Sequence, residues 1–203
     1  HLGMTTAQEP PPPANTTILL IAIGCTVFAV LTALSMLGPL LVDMSQDWMT
    51  TVPVVAQLVT AAAVAWAATA LVVGPFSDAY GRQPILLTGV LLISLASIGT
   101  ALAPNLATAT VFRVLAGVGG GMVPPTCIAL IGDIVSVERR AMSVAVVTTQ
   151  PGLSSVLGVP LVTLLGAYAG WRAAFFAVGG VLLLCALILL IYAPQRQEQR
   201  KRL

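Results

Sequence analysis

Four residues between two long apolar runs have the spacing that most clearly points to chemistry. In "VVGPFSDAYGRQPILL", residues 72–87, Gly74, Asp78, Gly81 and Arg82 form the pattern G-x-x-x-D-x-x-G-R. The aspartate can cap backbone amides or pair with an arginine, and the arginine can bridge to an acidic partner. The pattern predicts a latch of charge pairs that holds one conformation. The alternative is a plain turn, in which Gly81 supplies the backbone geometry and the charges are solvated.

A second charged segment, "GDIVSVERRAMSVA" at residues 132–145, supplies possible partners for this latch. Its charged residues are Asp133, Glu138, Arg139 and Arg140. If both segments lie on one side of a membrane, these residues face Asp78 and Arg82 and complete an inner charge network. The alternative is a set of exposed charges, each contributing under about 1 kcal/mol.

One arginine lies inside an apolar run. Arg113 begins the segment "RVLAGVGGGMVPP", and Gly117 and Gly121 follow it. Isolating an arginine in lipid costs on the order of 3 kcal/mol or more, which favours a functional role. The alternative is a side chain that extends to the outer headgroups. The glycines are expected to serve close helix packing, with backbone contact to a substrate as the alternative.

The elements that position these residues are membrane-spanning helices. The 203 residues are 58% hydrophobic and 8% charged, and the mean hydropathy is +0.99. A span needs about 20 apolar residues to cross roughly 30 Å of hydrocarbon. Proline and asparagine at 104–105 divide a segment that is too long for one crossing. The sequence therefore predicts an all-α integral membrane protein with six helices, at 17–42, 52–76, 84–103, 107–133, 141–168 and 171–192.

The basic residues predict the orientation of these helices. Basic residues follow the second, fourth and sixth helices, all on one side of the membrane: Arg82, Arg139, Arg140, Arg196, Arg200, Lys201 and Arg202. The opposite side has only Arg172. Because basic residues concentrate in cytoplasmic loops, both termini are expected in the cytoplasm. The expectation is a multi-pass protein of the plasma (inner) membrane.

The ends of the chain and its cysteines offer no further site. Residues 1–16 are expected to be a disordered, proline-rich tail, with a cloning scar before Met4, and residues 193–203 a basic cytoplasmic tail or a truncated linker. Cys25, Cys127 and Cys185 lack metal or redox spacing and are expected to be buried. No catalytic set or nucleic-acid motif can be assembled, so we expect no enzyme activity, no cofactor, no metal and no nucleic-acid partner.

Three of these segments resemble the major facilitator superfamily. The pattern at residues 74–82 is similar to the loop between helices 2 and 3 of that family, although Gln83 stands where a second basic residue is common. Arg113 and its glycines resemble the R-x-x-x-G pattern of the fourth helix, and residues 132–145 the next cytoplasmic loop. The resemblance covers residues 16–195 and implies one six-helix half of the family fold.

The fifth helix adds a resemblance to one branch of this family. The segment "QPGLSSVLGVPLVTLLGAYAGWRAAF", residues 150–175, resembles the fifth-helix motif of drug and proton antiporters, with Gly158 and Pro160 in place and Val162 replacing the usual glycine. The resemblance implies export by alternating access with proton antiport, along a path that includes Arg113, Gly117, Gly121, Gly158 and Pro160. Because no predicted helix has a carboxylate in its core, coupling would need Arg113, peripheral acids or residues outside this chain.

The expected substrate is a small amphiphilic or drug-like solute. The residues expected to line its cavity are mostly apolar or weakly polar: Phe28, Thr32, Ser35, Met36, Gln57 and Met122. Members of the family normally have two six-helix halves. The expected partners are therefore the lipid bilayer, the solute, protons, and either an absent second half or a second copy in a homodimer. The alternative function is a non-transporting membrane scaffold or accessory subunit.

Overall fold

The protein consists of helices throughout the part that the structure describes. The computed structural model describes residues 14–192. The helices are α1 (Ala14–Ser35), α2 (Leu37–Asp47), α3 (Val52–Tyr80), α4 (Arg82–Leu102), α5 (Leu106–Ile134), α6 (Val137–Thr148), α7 (Gln150–Leu153), a π-helical segment (Ser154–Gly158), α8 (Val159–Ala169) and α9 (Trp171–Tyr192).

Six stretches of these helices are long and apolar enough to cross a membrane. They are span 1 (Thr17–Ser35), span 2 (Val52–Tyr80), span 3 (Arg82–Leu102), span 4 (Leu106–Ile134), span 5 (Val137–Ala169) and span 6 (Trp171–Tyr192). The predicted all-α fold with six transmembrane helices is confirmed.

The connections between spans follow from local chemistry. Asn105 accepts a hydrogen bond from the Thr108 backbone N–H at 2.9 Å, so it caps α5 at the predicted break after α4. Gly81 ends α3 with φ of 104°, and Gly170 ends α8 with φ of 85°. Both values lie where a side chain is disfavoured, which explains glycine at these two ends.

The bounds of several helices differ from the prediction. Helix α1 begins at Ala14, so residues 14–16 are helical, while the predicted disorder of 1–13 and the predicted tail 193–203 lie outside the described residues. The first predicted helix is divided after Ser35, because Pro39 has no N–H for the Ser35 carbonyl. Helix α3 continues past residue 76 to Tyr80. Helix α6 begins at Val137, since only Val135 and Ser136 separate it from α5.

Span 5 is interrupted, although the sequence predicts one continuous helix. Pro151 follows the break at Thr149, and Pro160 follows the π-helical segment Ser154–Gly158. A proline removes one N–H from the helical ladder and crowds the carbonyl four residues earlier. The ladder therefore shifts register locally, as π-helical bulges do.

The packing of the spans follows a repeated scheme. Span 4 packs on spans 2 and 3, and span 1 packs on spans 5 and 6, while spans 3 and 6 pack on each other. The first three and the last three spans therefore have matching contacts, as an internal repeat of three helices would give. The spans around span 4 pack more closely than those around span 1, because glycines of span 4 let the helix backbones approach each other. A Cβ on Gly119 would lie 2.6 Å from the Gly89 carbonyl oxygen, and a Cβ on Gly121 would lie 2.5 Å from that of Trp66.

Candidate functional site

An arginine joins the ends of spans 2 and 4 at one face of the bundle. Arg82 Nη1 lies 2.5 Å from Asp78 Oδ1, and Arg82 Nε donates to Asp133 Oδ2 at 3.2 Å. Nη1 also donates to the hydroxyl of the buried Ser77 at 3.1 Å. Arg82 follows Gly81 directly, so the turn aims the guanidinium back across both helix ends. Asp78, Arg82 and Asp133 form a charge cluster, which we call the inner cluster.

The other residues predicted for the latch lie around this cluster. Arg140 Nη2 donates to the Gly132 carbonyl oxygen at 2.6 Å, across the short connection between α5 and α6. Glu138 and Arg139 lie in the first turn of α6. Gly74 is exposed, and a Cβ built there would meet no atom within 4 Å among the described residues. Asp78 binds an arginine, which is one of its two predicted roles.

The intramembrane arginine lies inside the bundle. Arg113 is fully buried, and its Nε donates to Thr100 Oγ1 at 3.2 Å and its Nη1 to the Ala33 carbonyl oxygen at 3.3 Å. Its guanidinium carbon lies 5.0 Å from the centroid of the Phe175 ring. The alternative in which Arg113 extends to the outer headgroups is wrong, because Thr100, Ala33 and Phe175 draw the side chain inward.

Arg113 is incompletely satisfied in this position. Its Nη2 is buried and has no hydrogen-bond partner among residues 14–192. A buried charge of this kind normally has a partner, because leaving one uncompensated costs several kcal/mol. Cation–π contact with Phe175 supplies part of the compensation. Arg113 thus places a fixed positive charge between spans 1, 3, 4 and 6, where it can act on an anion or on a protonation equilibrium.

The structure contains a second charged cluster that the sequence did not predict, at the opposite face. Trp171 Nε1 donates to Asp47 Oδ2 at 2.8 Å, and Arg172 Nη1 pairs with the same oxygen. The Arg172 guanidinium carbon lies 4.2 Å from the centroid of Trp171, and the Phe175 ring lies 5.9 Å from that of Trp171. We call Asp47, Trp171 and Arg172 the outer cluster. Through Phe175 it is in contact with Arg113.

The outer cluster makes folding stability depend on pH. The hydrogen bond from Trp171, followed by that from Arg172, lowers the pKa of the Asp47 carboxyl below its usual value. Because the folded state prefers the charged form, this stabilisation is present above the unfolded pKa, about 4, and is lost as pH falls through the folded pKa.

We therefore predict that the melting temperature falls on acidification more for the unaltered protein than for Asp47→Asn. The matched control is Asp43→Asn, an exposed carboxylate on the same helix, which should leave the pH dependence unchanged. Melting of the purified protein in detergent between about pH 3 and 7 measures this. Identical pH profiles for Asp47→Asn and the unaltered protein would contradict it.

The residues predicted for a coupling or substrate path have two different settings. Gly117 and Gly121 lie against the backbone of span 2, where a Cβ on Gly117 would overlap the Ala62 carbonyl oxygen. They hold two helices together, in agreement with the expectation of close packing. Gly158 lies against Thr32, whose Oγ1 shares a 3.0 Å hydrogen bond with Ser154 Oγ. Pro160 is exposed in the first turn of α8.

A cavity of about 670 Å³ separates spans 1, 5 and 6. Phe28 and Thr32 of the predicted substrate lining contribute to it, as does Gly158. Ser35 and Gln57 are exposed, Met122 is half-buried, and none of the three lines this cavity. Met36 is fully buried in the hydrophobic core, so the structure does not place it on a solute path.

The comparisons with known proteins agree with this arrangement. A family model described as Major Facilitator Superfamily matches residues 23–203. A gallate transporter of Pseudomonas putida is 31% identical over 156 residues, which cover 77% of this chain and 34% of the transporter. Multidrug resistance protein 3 of Bacillus subtilis is 28% identical over 129 residues, covering 64% of this chain and 25% of that protein.

Solved structures show the same fold. A bacterial homologue of the human lysosomal transporter Spinster, in an inward-facing conformation, superposes with a TM-score of 0.76 at 16% identity, covering 91% of this chain and 46% of that one. A proton:xylose symporter gives a TM-score of 0.76 at 15% identity over the same shares. The chain spans less than half of each of these relatives and resembles one half of their fold. By sequence and by structure, this chain belongs to the Major Facilitator Superfamily, a family of membrane transporters.

Proposed function

We propose that this chain is a six-helix half of a secondary active transporter that exports small amphiphilic or drug-like solutes by alternating access. The observation that carries the proposal is the inner cluster, in which Arg82 bridges carboxylates at the ends of two spans. Such a bridge stabilises one arrangement of helix ends and must weaken when a second arrangement forms. The exposed Gly74 lies one turn before Asp78 and leaves room there for a helix from a second unit.

The proposed class of solute rests on the relatives and on the apolar character of the chain. Multidrug resistance proteins are among the similar sequences, beside the gallate transporter. Several hydroxyls within the described spans already donate to a carbonyl oxygen of their own helix, as those of Thr26, Thr69 and Ser97 do. A solute would therefore be held mainly by apolar contact and by a small number of hydrogen bonds. Amphiphilic molecules meet both conditions.

We propose proton antiport as the energy source, with Arg113 as the residue that links it to the solute. The carboxylates of the described residues lie at or near the ends of helices, as Asp78 and Asp133 do, and not in the middle of a span. A proton could load on such a peripheral carboxylate or on a carboxylate of the second unit facing Arg113. The positive charge of Arg113 would favour the deprotonated form, which makes proton release responsive to the arrangement of the helices.

The whole transporter requires a second six-helix unit, which is either another half or a second copy of this chain. With Arg82, Arg139 and Arg140 on the cytoplasmic side, both ends of the described region lie in the cytoplasm and the outer cluster faces outward. The plasma (inner) membrane is the proposed location.

The experiment that tests this proposal replaces Asp78 by asparagine in the transporter as isolated from its membrane and placed in liposomes. Asp78→Asn removes one carboxylate from Arg82, so the balance between the two conformations shifts. Since a shift of about 1.4 kcal/mol changes a population tenfold, we expect transport of a fluorescent amphiphile to slow by about threefold to tenfold.

The control for this experiment is Asp43→Asn, which removes an exposed carboxylate at the other face. It should transport at the unaltered rate, and both variants should keep the melting temperature within a few degrees. Unchanged transport by correctly folded Asp78→Asn would show that the inner cluster is not a latch.

A further inference from the structure

The cavity between spans 1, 5 and 6 is lined along span 1 by residues of three different kinds. Gly24, Phe28 and Thr32 follow each other at intervals of four residues, and all three line it. Residues four positions apart lie on one face of a helix, so they form a line of about 12 Å from Gly24 to Thr32. The apolar ring of Phe28 therefore separates two ends of the cavity, which we call the Gly24 end and the Thr32 end.

A glutamine side chain supplies a hydrogen-bond acceptor at the Gly24 end. Gln150 is buried and lines the cavity, and a Cβ built on Gly24 would lie 3.6 Å from its Nε2. Nε2 donates to the Val146 carbonyl oxygen at 2.6 Å. Because that oxygen only accepts, the bond fixes which way the amide points, and Oε1 has no hydrogen bond within residues 14–192. An unpaired amide oxygen in an apolar wall is unfavourable, so Oε1 offers an acceptor to a group that donates.

A hydroxyl supplies a hydrogen-bond donor at the Thr32 end. The hydroxyls of Thr32 and Ser154 lie 3.0 Å apart across spans 1 and 5, at the first residue of the π-helical segment. Each hydroxyl has one hydrogen, and the bond between them uses only one of the two. Thr32 is the member of the pair that lines the cavity. With Ser154 donating to Thr32, the hydrogen of Thr32 is available to a solute that accepts.

From these two ends we propose the class of solute that the cavity selects: an uncharged, elongated aromatic amphiphile with a hydrogen-bond donor at one end and an acceptor at the other. The donor binds Gln150 Oε1, the acceptor binds the Thr32 hydroxyl, and the apolar body lies against Phe28. The solute is uncharged because the described lining includes no carboxylate, lysine, arginine or histidine. This inference rests on the proposed function, since it assigns the cavity to the solute. Gln150 and Thr32 contact the solute, and Ser154 orients the Thr32 hydroxyl.

Binding of three matched compounds tests this class on the purified transporter as isolated from its membrane. The parent compound is a biphenyl with a hydroxymethyl group at one end and an acetyl group at the other. One analogue has a methyl ether in place of the hydroxyl, and the second has an ethyl group in place of the acetyl. Each analogue loses one hydrogen bond between neutral groups, so we expect it to bind about threefold to tenfold more weakly than the parent. Displacement of the radiolabelled parent, with protein-free micelles as background, measures the three affinities.

Variants at the two ends separate hydrogen bonding from packing. Gln150→Met keeps the length of the side chain and removes Oε1, so the preference for the hydroxymethyl compound over its ether should vanish while the preference for acetyl over ethyl remains. Thr32→Val should do the reverse, and Thr32→Ser, which keeps the hydroxyl, should retain both preferences. If Gln150→Met does not fold, Gln150→Leu makes the same test. Equal weakening of all three compounds by the Gln150 variant would show a structural role and contradict the proposal.

The matched control is Thr163→Val, which removes a hydroxyl of span 5 outside the cavity lining. That hydroxyl donates to the Val159 carbonyl oxygen at 2.7 Å, so both preferences should remain. Because binding requires no transport, this inference and the proposed function fail separately. Equal binding of the three compounds beside intact transport of a fluorescent amphiphile would overturn the inference alone. Selective binding without transport would support the inference and count against export.

Discussion

Replacing Arg113 by glutamine should reduce transport about 100-fold while the six-helix bundle remains folded. Arg113 is the fully buried charge at the meeting point of spans 1, 3, 4 and 6, and its Nη2 has no hydrogen-bond partner within residues 14–192. Glutamine can still donate to Thr100 but has no charge. Removing one side of a buried charge interaction costs about 3 kcal/mol or more, which corresponds to about two orders of magnitude.

The measurement is uptake of a fluorescent amphiphile into liposomes, with binding of the same amphiphile measured separately on the purified transporter. Arg113→Lys serves as the comparison, because it keeps the charge and loses the planar fork that reaches both Thr100 and the Ala33 carbonyl. It should retain intermediate activity. If the glutamine variant transports at the normal rate, Arg113 has only a structural role and the proposed coupling is wrong.

Replacing Gly117 by alanine should lower the free energy of unfolding by about 1–2 kcal/mol. A Cβ at this position would overlap the Ala62 carbonyl oxygen and approach the Ala65 Cβ to 2.9 Å. The Ala62 carbonyl oxygen belongs to the backbone, so it cannot rotate away as a side chain could. Spans 2 and 4 would therefore have to separate. Overpacking of this kind typically costs about 1–3 kcal/mol, and the gain in helix propensity from glycine to alanine offsets up to about 1 kcal/mol.

Gly180→Ala is the matched control for this prediction. Gly180 also lies within a spanning helix, and a Cβ there would meet nothing within 4 Å of the described residues. It should leave stability unchanged or raise it slightly. Reversible unfolding in mixed micelles gives both values. Equal stability of the two variants would mean that spans 2 and 4 do not pack as closely as the structure indicates.

The number of spans and their connections could be predicted because they follow from local sequence. Charge-free runs of sufficient length predict crossings, and the break at residues 104–105 follows from proline and asparagine. The ion pair between Asp78 and Arg82 could also be predicted, since the two residues are four positions apart in the sequence. Asp133 was expected nearby from the side of the membrane on which its loop lies.

The rotation of each span could not be predicted in the same way. Lipid and protein interior are similarly apolar, so a hydrophobic pattern does not say which face of a helix is buried. For that reason Met36 was assigned to a cavity although it lies in the core, and the inward direction of Arg113 remained one of two alternatives. The charge of Arg113 within an apolar run predicted a function. Its contacts with Ala33 and Phe175 could not be predicted, because these residues lie on helices that are distant in the sequence.

The outer cluster could not be predicted, because its residues are far apart in the sequence. Trp171 and Arg172 bind Asp47 across 124 and 125 residues. Each residue is visible in the sequence at a helix end, but nothing local indicates that they meet. The π-helical segment has a clearer signal, because Pro160 lies two residues after it. Two prolines in one predicted span could have predicted an interruption.

The most direct test of proton-coupled export is transport driven by a pH gradient in liposomes that contain the transporter as isolated from its membrane. With proton-coupled export, a fluorescent amphiphile should accumulate against its own concentration gradient when the two sides differ in pH. The accumulation should disappear when an ionophore collapses the pH difference. Flux no greater than in protein-free liposomes, or flux of equal rate with and without the gradient, would contradict proton-coupled export.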